Sequence, residues 1–199
     1  GLIPLTEPYT GLGYPHLGGG GESIVPAVLS VSGGNAIVDW VVLELRSGSN
    51  PVQVLQTRSG LIQRDGDIVG KDGVSPVGFS LPEGSYYITI RHRNHLGAMT
   101  SGAVFLSSTA TVVDFTSAST STYGTEARKS NGTYLTLWSG NTLWDNELKY
   151  TGSNNDRDPV LVRIGGTIPT NTVPGYYRDD VNLDGVVKYT GSGNDRDPI

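Results

Sequence analysis

Cysteine is absent from the 199 residues, which rules out a disulfide framework, a thiolate metal centre and a cysteine nucleophile. Charge is scarce as well. Only 17% of residues are charged and the net charge is −5, whereas a nucleic-acid partner needs clustered lysine and arginine. No apolar run approaches the roughly 18–20 residues of a bilayer-spanning helix, so membrane insertion is not expected. There is no G-x-S-x-G elbow, and the glycines at 18–21 lack the Lys-Ser/Thr that completes a phosphate-binding loop. A non-enzymatic chain is therefore expected. The opening Gly1-Leu2-Ile3-Pro4 carries neither an initiator methionine nor a signal peptide, as in a processed product or an excised piece.

What the chain does have is glycine, 28 residues of it, with abundant serine and threonine and short β-prone segments. Residues 36–46 (AIVDWVVLELR) and 52–58 (VQVLQTR) are rich in β-branched and aromatic side chains, with a Gly48-Ser49-Asn50-Pro51 turn between them. Residues 85–93 (SYYITIRHR) alternate, placing Tyr87, Thr89, Arg91 and Arg93 on one face and Tyr86, Ile88, Ile90 and His92 on the other. Residues 103–106 and 109–115 continue the pattern. The expected class is all-β, a jelly-roll-like β-sandwich followed by a small repeat tail. The expected divisions are an extended arm over 1–22, the sandwich over 23–116, a Ser/Thr-rich linker over 117–130 and a repeat tail over 131–199.

The tail repeats itself. Residues 149–160 (KYTGSNNDRDPV) and 188–199 (KYTGSGNDRDPI) agree at ten of twelve positions, at an offset of 39. Before the second copy stands Asp180-Val181-Asn182-Leu183-Asp184-Gly185, the D-x-N-x-D-G opening of a calcium loop. Asp180, Asn182 and Asp184 supply hard oxygen donors at positions 1, 3 and 5. Gly185 permits the bend, and the Val186 carbonyl takes position 7. Position 12 is Gly191, so the loop has to be closed by Asp195 or Asp197 in an expanded form. The aligned first copy replaces the donors with Asn141, Leu143 and Asp145. A site there would draw on Asn141, Asp145, Asp156 and Asp158. Asp158 and Asp197 are alternatively N-caps, and Asp158-Pro159 opens either a short helix closed by Gly165 or a short strand.

Two further clusters are read as structure. Arg64-Asp65-Gly66-Asp67 with Asp72-Gly73 is read as turns, since Asp-Gly is a preferred hairpin dipeptide. His92 and His95, three apart with no third donor nearby in sequence, are read as packed or hydrogen-bonded rather than zinc-binding. Asn131-Gly132-Thr133 fits a glycosylation sequon.

Three stretches, GLIPLTEPY at the start, residues 63–97, and the KYTGxxNDRDP repeat with its DVNLDG loop, resemble a family of secreted, haemagglutinin-like surface proteins of Bacteroidota-type bacteria. The resemblance implies an extracellular or cell-surface module without enzymatic activity and with a dockerin-like calcium tail. Two functions are expected from this: a calcium-stabilised structural or adhesive module, self-assembling head to tail into a filament through the apolar terminal arm and the tail, or a carbohydrate-binding adhesion module. Glycans would be partners of the second, with Trp138 and Trp144 as stacking platforms or, alternatively, as covers for the calcium loop.

Overall fold

A computed structural model describes residues 2–199. The chain forms two compact units: Ile3–Arg91 with Ala98–Thr136, and Leu2 and His92–Gly97 with Leu137–Ile199. Among the described residues no helix is long and apolar enough to cross a membrane.

The first unit is antiparallel β. Strands β1 (Ile37–Ser47), β2 (Asn50–Gln63), β3 (Ile68–Val69), β4 (Gly84–His92), β5 (His95–Met99) and β6 (Val104–Leu106) form one sheet in the order β3-β2-β1-β4-β5, with β6 also on β4. The β1–β2 hairpin turns on Gly48-Ser49 alone, so Asn50 and Pro51 already belong to β2. Strand β2 runs on past 58 through Gly60, where any Cβ would lie 3.0–3.1 Å from Val77 and Ile68 side-chain atoms. Glycine there lets β3 approach closely enough to pair with Leu61 and Ile62. On β1, Trp40, Val41, Val42 and Leu45 are all buried, so both faces of the strand are covered. Each such side chain contributes about 1.5–3 kcal/mol of burial.

The all-β class holds, and the strands of this unit join in a single large sheet together with one small ribbon. Much of the cover on one face comes from residues 3–24, which are folded back rather than extended. Thr6 bridges Ser23, with Ile24 N–H donating to the Leu5 carbonyl at 2.8 Å and Glu7 N–H to the Glu22 carbonyl at 2.9 Å. Tyr9 is fully buried and donates to the Trp40 carbonyl, and Trp40 Nε1 donates to the Pro4 carbonyl. The Tyr14 hydroxyl reaches Glu44, which is itself paired with Arg46 and Arg91. Burial alone would push the Glu44 carboxyl up, but Arg91, the Tyr14 hydroxyl and Arg46 together hold it below its ordinary value.

Two stretches depart from expectation. Residues 109–115 alternate as a strand should, yet they form none. Val112 is 90% exposed and no neighbouring strand offers a ladder, so propensity alone does not hold the segment in a sheet. Residues 117–130 belong to the first unit, whose boundary falls at Thr136. Arg128 donates to the carbonyls of Phe115, Ser117 and Thr120, gathering the polar stretch into a fold. The ribbon of β7 (Lys129–Asn131) and β8 (Tyr134–Thr136) follows it.

The second unit holds helix α1 (Arg157–Arg163) and the pair β9 (Thr172–Pro174) and β10 (Val186–Lys188). Of the two readings left open for residues after Asp158, the helix is observed. It starts one residue before Asp158 and is closed by Gly165 at φ +107. Val160 of the helix and Ile164 at its C-cap pack on Val187 of β10, with Leu161, Val173, Tyr177, Tyr189 and Ile199 around them. The core thus joins the first repeat's helix to the second repeat's strand. Ile199 lies in it at the position equivalent to Val160.

Candidate metal centre

The two repeats share one backbone frame. Left-handed residues recur at the same offset: Trp144 and Leu183 (φ 59 and 62), Gly152 and Gly191 (90 and 88), Asn154 and Gly193 (55 and 64). Only Gly, and less often Asn, adopts this region without strain, so Trp144 and Leu183 mark enforced loop geometry. In each copy the asparagine of NDRD uses its side-chain carbonyl to cap the amides two and three residues on. Its amide group donates to a glycine carbonyl and to the second aspartate. Asp158 and Asp197 are therefore partners of Asn155 and Asn194. Arg157 stacks over Tyr150 and Arg196 over Tyr189, again in matching positions.

The first aspartate of each NDRD is a buried loop staple. Asp156 accepts from the Leu143 amide at 3.2 Å and the Lys149 amide at 2.8 Å. Asp195, 0% exposed, accepts from Val181 (2.7 Å), Asn182 (3.1 Å) and Lys188 (2.7 Å). Both thus tie the start of their loop to the strand-like segment that follows. Burial pushes the Asp195 carboxyl up despite the three amides, and the Asp184 charge adds to the rise.

Asp180, Asn182 and Asp184 are brought together in the second loop. Each accepts a backbone N–H from farther along the loop: Gly185 to Asp180 Oδ2, Asp184 to Asn182 Oδ1, Val186 to Asp184 Oδ1. Val186 lies opposite Pro174, which has no N–H to offer its carbonyl. Asp180 is 2% exposed, and its Oδ1 is buried without any hydrogen-bond partner. A buried, unpartnered carboxylate oxygen costs several kcal/mol unless a proton or a cation meets it. Burial raises the Asp180 carboxyl; Arg93 opposes the rise, and Asp195 and Asp184 reinforce it. Among the described residues no three Asp, Glu, His or Cys side chains could hold a metal ion by themselves. An ion here would depend on mixed oxygen donors, carboxylate, amide and main-chain carbonyl together, which is the donor set that suits calcium.

The equivalent first loop is closed differently. Asn141 is 1% exposed. Its Nδ2 donates to the Asp145 carbonyl at 2.8 Å and its Oδ1 accepts from the Asp145 amide at 3.1 Å. Thr142 Oγ1 donates to the Asp156 carbonyl at 2.6 Å, and Asp145 Oδ1 accepts from the Glu147 amide. Leu143, 38% exposed, replaces Asn182. Asn141, Asp145 and Asp156 are brought together here, but each is occupied by main-chain groups.

Sequence reading missed Arg93 and Asn94, at the tip of the β4–β5 hairpin. The Asn94 side chain, 0% exposed, donates to the Asp180 carbonyl at 2.6 Å, and the Arg93 guanidinium lies 3.7 Å from Asp180 Oδ2. Arg93 also donates to the Tyr177 carbonyl and stacks on Tyr176. The only signal was a polar, two-residue tip between strands, which does not name its long-range partner. The flanking His92 and His95 meet each other, Nδ1 to Nδ1 at 2.8 Å, beside Asn94 Oδ1. Trp144 Nε1 donates to the His92 carbonyl.

The remaining acidic loops are turns. Gly66, at φ +99, closes the β2–β3 hairpin, and Asp72 caps the amides of Val74 and Ser75. In the arm, Glu7, His16 and Thr57 line up as acid, imidazole and hydroxyl, with His16 Nε2 3.5 Å from Glu7 and Nδ1 3.1 Å from Thr57 Oγ1. Thr57 is fully buried and its hydroxyl is held by Leu17 N–H. The line presents no nucleophile and serves to fasten the arm.

Comparison with known proteins returns no match, whether by family model, by curated sequence or by solved structure.

Proposed function

We propose that the chain is a non-enzymatic, extracellular structural or adhesive module whose repeat tail is locked by calcium. The observation that carries this reading is Asp180 Oδ1, a buried carboxylate oxygen with no partner, at the first position of a D-x-N-x-D-G loop. Asp180, Asn182, Asp184 and the Val186 carbonyl would hold the ion, with Asp195 stapling the loop behind them. Calcium would supply the positive charge that the crowded carboxylates lack, so that binding free energy becomes folding free energy. Cysteine-free secreted chains have few other staples, and the resemblance to haemagglutinin-like surface proteins points the same way.

Filament assembly through the terminal arm is part of this proposal in one form only. The arm's bonds to Trp40, Glu44 and Ser23 are already made within the chain, so linkage between subunits would proceed by exchange of the arm, each chain donating it to the next. Such head-to-tail exchange does not close and yields a fibre.

The test is a thermal melt in millimolar calcium against EDTA. With calcium at a hundredfold its Kd, stabilisation is about 2.7 kcal/mol, or about 10–20 °C for a unit of this size. Asp184→Ala should abolish the increment. Identical melts with and without calcium would refute the reading.

A further inference from the structure

The two loops share their backbone but not their chemistry, and the difference has a definite consequence for calcium. Resting on the calcium reading above, we propose that the tail takes one ion, in the second loop, and that the first loop is an ion-independent replica in which the Asn141 amide does the work of the cation.

The argument is a count of donors and acceptors. A cation site needs oxygens converging with free lone pairs, above all at position 1 of the loop. In the first loop the residue at position 1 carries an NH2 group, and that group is aimed at a loop oxygen, the Asp145 carbonyl, at 2.8 Å. Its other half takes the Asp145 amide, so both halves of Asn141 bind across the turn that an ion would otherwise gather. A cation placed there would meet the positive end of an N–H dipole. Position 3 is Leu143, which has no donor atom. Position 2 is Thr142, whose hydroxyl adds a bond to the Asp156 carbonyl; Val181 in the second loop has no such group.

The second loop differs at positions 1, 2 and 3. Position 1 is Asp180, with one oxygen on the Gly185 amide and one on nothing. Among the described residues, it is the one buried carboxylate oxygen left without a partner. Position 3 is Asn182, whose Oδ1 takes a single amide and keeps a lone pair, while its Nδ2 donates to the Gly193 carbonyl at 2.8 Å and, at 3.3 Å, to Asp184 Oδ2. One loop is complete as it stands, and the other is short of one positive charge.

The division of labour follows. The first loop, with Val160 and Ile164 beyond it, forms a permanent frame, and Val187 of the second repeat packs on that frame. Calcium removal would then loosen the second loop and leave the first in place.

Equilibrium dialysis of the calcium-stripped full chain against radioactive calcium counts the ions directly. The expected result is one ion per chain. Asp184→Ala, at a largely solvent-facing position, should lose it, and Asp145→Ala should keep it with affinity changed by less than about threefold. The double variant Asn141→Asp with Leu143→Asn should raise the count toward two. Two ions in the unmodified chain, or one ion lost in Asp145→Ala and retained in Asp184→Ala, would overturn the proposal while leaving calcium binding standing. No bound ion in any variant would overturn the calcium reading together with it.

Discussion

Replacing Asp195 with alanine is the sharpest probe of how the tail is held. Its carboxylate accepts the amides of Val181, Asn182 and Lys188 from a fully buried position. Truncation would leave three N–H donors without their acceptor, that of Val181 buried and those of Asn182 and Lys188 part-buried, each worth about 1–2 kcal/mol. Part of this is offset, because a carboxylate disfavoured by burial is removed with the bonds. The net cost should be about 3–4 kcal/mol, which for a unit of this size lowers Tm by more than about 10 °C. Asp195→Asn keeps the acceptor used by Val181 and Asn182 and turns an NH2 toward Lys188, so it should lose less. Asp197→Ala, which removes an exposed group held by Asn194 and Arg196, should change Tm by no more than a degree or two. The melts belong in EDTA, with NMR hydrogen exchange at Lys188 and Val181 as the local readout. Equal melts for Asp195→Ala and Asp197→Ala, with Lys188 still protected, would show that the buried carboxylate is not the staple.

Other expectations can be checked alongside. Glu44 and Glu7 sit below the ordinary 4.5, so on acidification the unfolded chain takes up protons first. Their stabilisation is complete above about pH 4.5 and drains away as pH falls below it, and a pH series of urea midpoints should flatten there in Glu44→Gln. Arg93→Met removes the guanidinium beside Asp180 and should cost about 3–5 kcal/mol in calcium-free buffer, the usual penalty for stranding a buried charge; an unchanged urea midpoint would count against the pair. Gly185→Ala forces a side chain into φ +86 and should cost about 1–2 kcal/mol, read as a lower Tm with or without calcium.

The sheet was legible where local patterning and packing agree. Residues 36–46 and 85–93 read as strands because their β-branched and aromatic runs lie in the middle of the sheet, where both neighbours reward them. Residues 109–115 carry the same pattern without a neighbour, and no alternation in one segment can reveal a missing partner. The arm was misread for the converse reason: Tyr14 meets Glu44 thirty residues on, and its glycines suggest an extended tether when taken alone. In the tail the duplication was plain, as were the positions of Asp180, Asn182 and Asp184. The chemistry of Asp156 and Asp195 was not, because an aspartate that stitches amides and one that faces an ion are the same letter. Only the count of hydrogen bonds at each oxygen separates them.

The second unit includes His92–Gly97, although the rest of it begins at Leu137. A stretch from Leu137 onward, moved to another protein, would carry both repeats and leave behind Arg93 and Asn94, which brace Asp180. The tail is therefore not a portable cassette. Gene shuffling could copy its recognisable repeats anywhere, but it would pass on the intact loop only to hosts that bring a hairpin with the same two residues at its tip.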